Sequence, residues 1–243
     1  MKKAMSRKRK TRTVLAAVSI AAVVFASAAL ICDSLRYGRD SGKAGETETS
    51  PPGLTDGADM NLGDGIFITG IGSYSGAFME DGSNESVSGI LMITVENRSE
   101  KTLQYGEITL SGNGTTANFN VSTLPPQGTA VLLEVNRQKY VSDELFSYYA
   151  LEKRIFFDGD LSLCEDKIKI GCLDGKLNVT NISGKDMEGD VVIYYKNYLD
   201  GIYYGGITYR TSVSGGLLSG EVRQISASHY SSAGSAVMFV TCP

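Results

Sequence analysis

The chain has 243 residues, with 27 acids against 23 Lys/Arg for a formal charge of −4, and it holds one histidine, four cysteines and no tryptophan. A single histidine excludes a zinc centre built on several such ligands, and the acidic balance argues against nucleic acid as a partner. Twenty-eight glycines and thirteen tyrosines, beside abundant Val, Ile, Thr and Ser, are the usage of strands and turns rather than of helical bundles.

Residues 1–12 contain seven Lys/Arg and no acid, and taking those seven from the formal −4 leaves −11 for the rest of the chain. An uncharged apolar run follows from Thr13 to Cys32. As a helix it would span roughly 30 Å, the thickness of a bilayer's hydrocarbon core. Basic residues stay on the cytoplasmic side, so the sequence predicts a single-pass anchor with the C-terminal part outside the cell. Two alternatives use the same segment. Ala26-Ser27-Ala28 would serve as the cleavage site of a signal peptide, although the run continues to a length beyond an ordinary signal core. A lipidated Cys32 would need a small residue before it, where Ile31 stands.

Residues 33–64 read as a linker, with six glycines, the Pro51-Pro52 pair and seven acids. Such a segment buries too little apolar surface to offset its ordering entropy.

Beyond it lies an internal repeat. Val95-Glu-Asn97-Arg-Ser99-Glu-Lys101 aligns with Val179-Thr-Asn181-Ile-Ser183-Gly-Lys185 at an offset of 84, and Leu124 to Gly128 aligns with Leu218 to Gly220 after eight additional residues. One unit has been duplicated, giving an expected domain over 65–157 and another over 158–243. Alternating apolar residues place strands at Ile90–Val95, Glu107–Leu110, Ile168–Cys172, Leu177–Val179, Val191–Tyr195 and Val237–Cys242. Asp174-Gly175 is a hairpin signal. Leu145, Tyr149 and Glu152 sit at helical spacing, which predicts a short helix over 142–153 leading into a strand at Arg154–Phe157. The fold class expected is all-β, with two immunoglobulin-like antiparallel sandwiches in tandem after the spanning helix and the linker.

Three cysteines follow the linker, in a compartment that permits disulfides. Cys172 on the core face of one strand and Cys242 at the end of the last are the expected pair; Cys164–Cys172 competes, and either choice leaves one thiol over. Six Asn-x-Ser/Thr sequons, at Asn84, Asn97, Asn113, Asn120, Asn178 and Asn181, are a number that a chain rich in these residues reaches by chance.

Tyr194, Tyr195, Tyr198, Tyr203, Tyr204 and Tyr209 crowd one hairpin. Strand propensity and cross-strand pairing account for them. Tyr194, Tyr198, Tyr203, Tyr204 and Tyr209 also form the one candidate contact surface, because tyrosine suits wet interfaces. No catalytic, cofactor-binding or metal-binding residue is assigned. His229 lies in Ser228-His-Tyr230 with no nucleophile elbow in the chain. The enzymatic alternative rests on Val240-Thr-Cys242, whose strand-end cysteine resembles that of sortase transpeptidases, but no arginine-bearing strand follows it.

The stretch Tyr194-Tyr-Lys-Asn-Tyr-Leu-Asp-Gly201 through Gly205-Gly-Ile-Thr-Tyr-Arg210, with Val-x-Asn-x-Ser-Gly-Lys before it and Leu-Ser-Gly-Glu after it, resembles FxLYD-type domains and uncharacterised membrane-anchored surface proteins of Gram-positive, clostridial-type bacteria. The likeness is strongest over 167–243 and weaker over 65–157. It implies a β-sandwich on the outer face of a single-membrane cell, and no activity. The expectation is therefore a non-catalytic surface binding or assembly module. It would be held to the membrane by its N-terminal helix and partnered by another envelope protein or a cell-surface polymer. A purely structural spacer is the remaining alternative.

Overall fold

The computed structural model describes residues 59–142 and 146–243. The expected spanning helix over 13–32 and nearly all of the expected linker lie outside the described residues. Among the described residues there are strands and no helix, so none is long and apolar enough to cross a membrane.

The strands are β1 (Met60–Gly63), β2 (Ile66–Ala77), β3 (Ser86–Asn97), β4 (Leu103–Gly112), β5 (Thr115–Leu124), β6 (Thr129–Leu133), β7 (Tyr148–Phe156), β8 (Ile168–Leu173), β9 (Lys176–Asn181), β10 (Val191–Leu199), β11 (Ile202–Val213), β12 (Val222–Ser226) and β13 (Ser235–Thr241). They form a seven-stranded sheet in the order β1-β2-β3-β6-β11-β10-β13 and two three-stranded sheets, β5-β4-β7 and β12-β9-β8.

The duplication is visible in this order. The pattern β2-β3-β6 over β5-β4-β7 recurs as β8-β9-β12 over β11-β10-β13. The match extends to single atoms. Asn97 and Asn181 are both buried, and each side-chain amide staples its turn to a distant segment, the end of β5 in the first copy and the β11–β12 connection in the second. Asn97 Nδ2 donates to the carbonyls of Lys101 (2.9 Å) and Leu124 (2.8 Å). Asn181 Nδ2 donates to those of Lys185 (2.7 Å), Leu217 (3.0 Å) and Leu218 (3.1 Å). Ser99 and Ser183 donate through N–H and hydroxyl to the corresponding Oδ1 atoms. These buried asparagines explain two of the sequons: Asn-x-Ser is here the turn's own hydrogen-bonding unit.

The backbone of Asn97 exchanges hydrogen bonds with Gln127 and Gly128, and that of Asn181 with Gly220 and Glu221. Gln127 therefore corresponds to Gly220, and both have positive φ. The offset there is 93, which makes the second copy longer by nine residues rather than the eight expected. The pair Thr109↔Asn118 corresponds to Ile193↔Thr211, so the excess falls entirely in the β10–β11 hairpin. That hairpin reaches back to the first copy. Ile202, Tyr203 and Tyr204 pair in parallel with Thr129, Ala130 and Val131 of β6, and this pairing fuses the copies through one sheet.

Each copy buries its own core. The first joins residues such as Ile66, Leu91, Ile93, Ile108, Phe119 and Leu132, with Tyr203 of the second copy inserted. The second joins Leu177, Val179, Val191, Ile193, Tyr195 and Val240. A third cluster, Phe78, Ile90, Met92, Val131 and Leu133, uses the neighbours of the first core's residues on β3 and β6, hence the opposite face of the sheet.

All seven expected strand segments fall in strands, with Phe157 and Cys242 just past the ends of β7 and β13, and Asp174-Gly175 turns β8 into β9. Three expectations need correction. Tyr149 and Glu152 lie in β7, not in a helix, because β4 pairs with that segment from Ser111↔Tyr148 to Leu103↔Phe156. Met60–Gly63, placed at the end of the linker by sequence, form β1 against β2. Cys242 bonds to Cys164 rather than to Cys172.

Candidate functional site

The junction between the copies concentrates the buried charge. Its acid, Glu80, stands in the β2–β3 connection, a turn closed by Phe78 N–H on Glu85 O (2.7 Å) and Asn84 N–H on Phe78 O (3.1 Å). Glu80 Oε1 accepts Leu133 N–H (2.9 Å), and Oε2 accepts Gly206 N–H (2.8 Å). The carboxylate thus ties the end of β6 to the inserted part of β11. Burial pushes its pKa up, against the lowering by those two N–H groups and by Lys196.

Lys196 on β10 is fully buried. Its Nζ donates to the carbonyls of Ser122 (2.9 Å), Ile207 (3.0 Å) and Gly206 (3.2 Å). Three acceptors match the three N–H bonds of an ammonium. Desolvation lowers its pKa to about 7, with the Glu80 charge acting the other way. Tyr195 packs in the second copy's core, so strand alternation turns Lys196 toward β5 of the first.

The approach of β11 to β5 is closest at Gly206, where a Cβ would stand 1.7 Å from Asn120 O. Only glycine fits there. Ser122 Oγ donates to Gly206 O (2.8 Å) and lies 2.9 Å from Thr208 Oγ1.

Outside this strut opens a cleft of about 430 Å³, lined by Phe78, Glu80, Asp81, Asn120, Val135, Asn136, Arg137 and Ile207. Arg137 lies 4.5 Å over the Phe78 ring and pairs with Asp81 (2.8 Å) and Glu85 (2.6 Å). Hydrogen bonds from Ser83, then the Arg137 guanidinium, hold the Asp81 pKa below its usual range. The buried Glu134 carboxylate caps the adjoining turn, accepting from the N–H groups of Asn118 (3.2 Å), Asn136 (2.7 Å) and Gln138 (2.9 Å).

The candidate tyrosines are distributed around this junction. Tyr203 is 5% exposed in the first core and rings with Tyr198 at 4.8 Å. Tyr204 packs against the cluster on the opposite face. Tyr194 stacks on Phe239 at 4.1 Å, and Phe239 meets Phe157 at 5.5 Å. Tyr209 lies between Tyr195 (5.4 Å) and His229 (4.5 Å), and burial pushes its hydroxyl up to about 12. The one histidine is thus packed on a tyrosine face, beside Gly82 of the β2–β3 turn.

Cys164 and Cys242 have Cα atoms 6.7 Å apart and close a separation of 78 residues. Val240 N–H on Ser162 O (2.8 Å) holds the same segment along β13. Cys172 is buried, and none of the described cysteines is a free thiol, contrary to the odd one expected. Among the described residues no cluster of His, Cys, Asp and Glu could hold a metal ion.

Sequence reading missed Glu80 and Lys196. A signal was present in Lys196, the one charge between Val191 and Leu199, and in Gly205-Gly206 within the nine additional residues. No protein-family model, curated protein or solved structure matches this chain.

Proposed function

We propose that the chain is a membrane-anchored, extracytoplasmic, non-catalytic binding or assembly module built from two immunoglobulin-like sandwiches. The observation that carries this reading is the use made of its reactive groups. Both Glu80 oxygens accept backbone N–H, Lys196 Nζ is enclosed by three carbonyls, and Cys242 is tied to Cys164. Groups that would serve as acid or base tie the two copies together instead, and the would-be nucleophile closes the ends of the second copy. The bonded Cys242 also weighs against the transpeptidase alternative, whose chemistry needs a thiolate.

The basic residues 1–12 and the apolar run 13–32 support the address, and a disulfide joining the ends of the second copy fits an oxidising space. The cleft beside Arg137 and the open strand edges are the surfaces such a module offers a partner. The test is topological and chemical together. In intact cells, a membrane-impermeant amine reagent should modify lysines beyond residue 59, and Cys242→Ala should weaken the fold without removing a transpeptidation product. Labelling that requires permeabilised cells would contradict the address. A transpeptidation product lost from a folded Cys242→Ala protein would contradict the non-catalytic reading.

A further inference from the structure

The duplication gives each strand of one copy a counterpart in the other, and the counterparts β6 and β12 differ in their surroundings. At the offset of 93, Thr129–Val131 of β6 correspond to Val222–Gln224 of β12. Thr129–Val131 carry a parallel partner strand, Ile202–Tyr204 of β11. β12 is the last strand of its sheet.

The open edge has the same polarity as the occupied one. Gly128 O accepts from Asn97 and Glu221 O accepts from Asn181, so both strands enter their ladders in the same phase. Alternation then turns the N–H and C=O of Thr129 and Val131 toward β11, and those of Val222 and Gln224 away from β9. The counterparts further along agree: Leu133 N–H, turned outward, is taken by Glu80, and Ser226 O is taken by the Thr211 hydroxyl. Among the described residues no strand pairs with the outward side of Val222 and Gln224. Apolar side chains flank them, with Val222 61%, Leu218 64% and Ile182 49% exposed. An edge of this kind invites a strand: β12 carries neither lysine nor proline, and its one charge, Arg223, is engaged by Glu221 and by Ser214 O.

We infer that Val222–Gln224 accepts an extended strand from a partner protein, paired in parallel as Ile202–Tyr204 pairs with β6. The partner strand carries β-branched or aromatic residues at alternate positions, where Ile202 and Tyr204 stand in the occupied junction. A second copy of this chain does not supply it in the same way. Its β11 is already paired, and the outward carbonyls of its β5 are taken by Val135 N–H on Asn118 O and by Lys196 on Ser122 O. The partner therefore resembles a further unit of the same kind with a lengthened third-to-fourth strand hairpin. This deepens the binding-module reading and rests on it.

The probe is a synthetic peptide of the chain's own sequence from Asp200 to Arg210, added at millimolar concentration to the full chain in detergent, with amide hydrogen exchange as the readout. The expected result is at least tenfold slower exchange at Val222 and Gln224. Val222→Lys should abolish it, as should Gln224→Pro read at the Val222 amide, which removes an outward N–H together with the exposed Gln224 Nε2 bond to Asn178 Oδ1, both at little-changed Tm. Unchanged exchange at these amides, protection at β7 or β13 instead, or protection that survives both substitutions would overturn the inference. Protection that grows with protein concentration in the absence of peptide would make a second copy the occupant and overturn the assigned partner. The address is read separately by surface labelling: if labelling fails while the peptide protects β12, the edge stands and the extracytoplasmic reading falls.

Discussion

At the scale of the residue, four side chains bear most of the specificity of the fold. Lys196 and Glu80 meet at Gly206, one on its carbonyl and the other on its N–H. Lys196 satisfies three carbonyls and Glu80 two backbone N–H groups, so Lys196→Ala or Glu80→Ala alone leaves those groups unpaired and should cost about 1–3 kcal/mol. The double variant Lys196→Met, Glu80→Gln should cost less than the sum of the two single changes, because each charge acts on the other, as urea denaturation would measure. The pH dependence has a definite sign. Lys196 titrates at about 7 in the folded chain against an ordinary 10.5. Below about 7 both states hold the proton, and the penalty for burying the ammonium is fully present. Between about 7 and 10.5 only the unfolded chain holds it, so this residue makes stability rise with pH by up to about 1.4 kcal/mol per unit. Lys196→Met should remove that slope. Asn97 and Asn181 are the second pair, and Ala at either should cost about 2–4 kcal/mol, because several buried partners lose their bond at once. Their importance was legible as a repeated Asn-x-Ser, though the reason was not: a sequence shows the turn but not the carbonyls of Leu124 and Leu217 that the turn is fastened to.

At the scale of the element, the β10–β11 hairpin is where the two copies part company. The repeat located the excess in the stretch that holds the tyrosines, and alternation gave the strands. What the sequence could not supply was a partner for the lengthened hairpin, since strand pairing across some seventy residues leaves no local signal. β7 departs from its local signal for a related reason. Helical spacing of Leu145, Tyr149 and Glu152 is a weak local preference, and nine residues of pairing with β4 overrode it. The disulfide followed the same logic: Cys172 had the right facing, but Ser162 and Cys164 run along β13 and bring the other cysteine to Cys242. Replacing Cys164 and Cys242 together by Ala should lower stability by roughly 4.5 kcal/mol under oxidising conditions, the loop-closure value for 78 residues. The difference from wild type at this bond should vanish once it is reduced. Gly206→Ala tests the hairpin's seat. Its methyl group would meet backbone at Asn120 O, so the inserted segment must withdraw, and amide exchange at Ile202–Tyr204 should accelerate while that of β8 and β9 stays unchanged.

At the scale of the whole molecule, the two halves are not beads on a string. A seven-stranded sheet runs through both, each copy adds its own three-stranded sheet, and the buried strut crosses the seam. Acidic surface, an apolar N-terminal run and a stapled C-terminal half fit a rigid module displayed outside a cell, which is the reading proposed above. The surface ion pairs, such as Arg98–Glu96 and Arg223–Glu221, add little to that rigidity because water screens them. The seam decides. Differential scanning calorimetry of the full chain, with Lys196→Ala beside wild type, addresses it most directly. One cooperative transition, with calorimetric and van't Hoff enthalpies equal, is expected for wild type, and separation into two transitions for the variant. Two independent transitions in the wild-type protein would contradict a fused molecule.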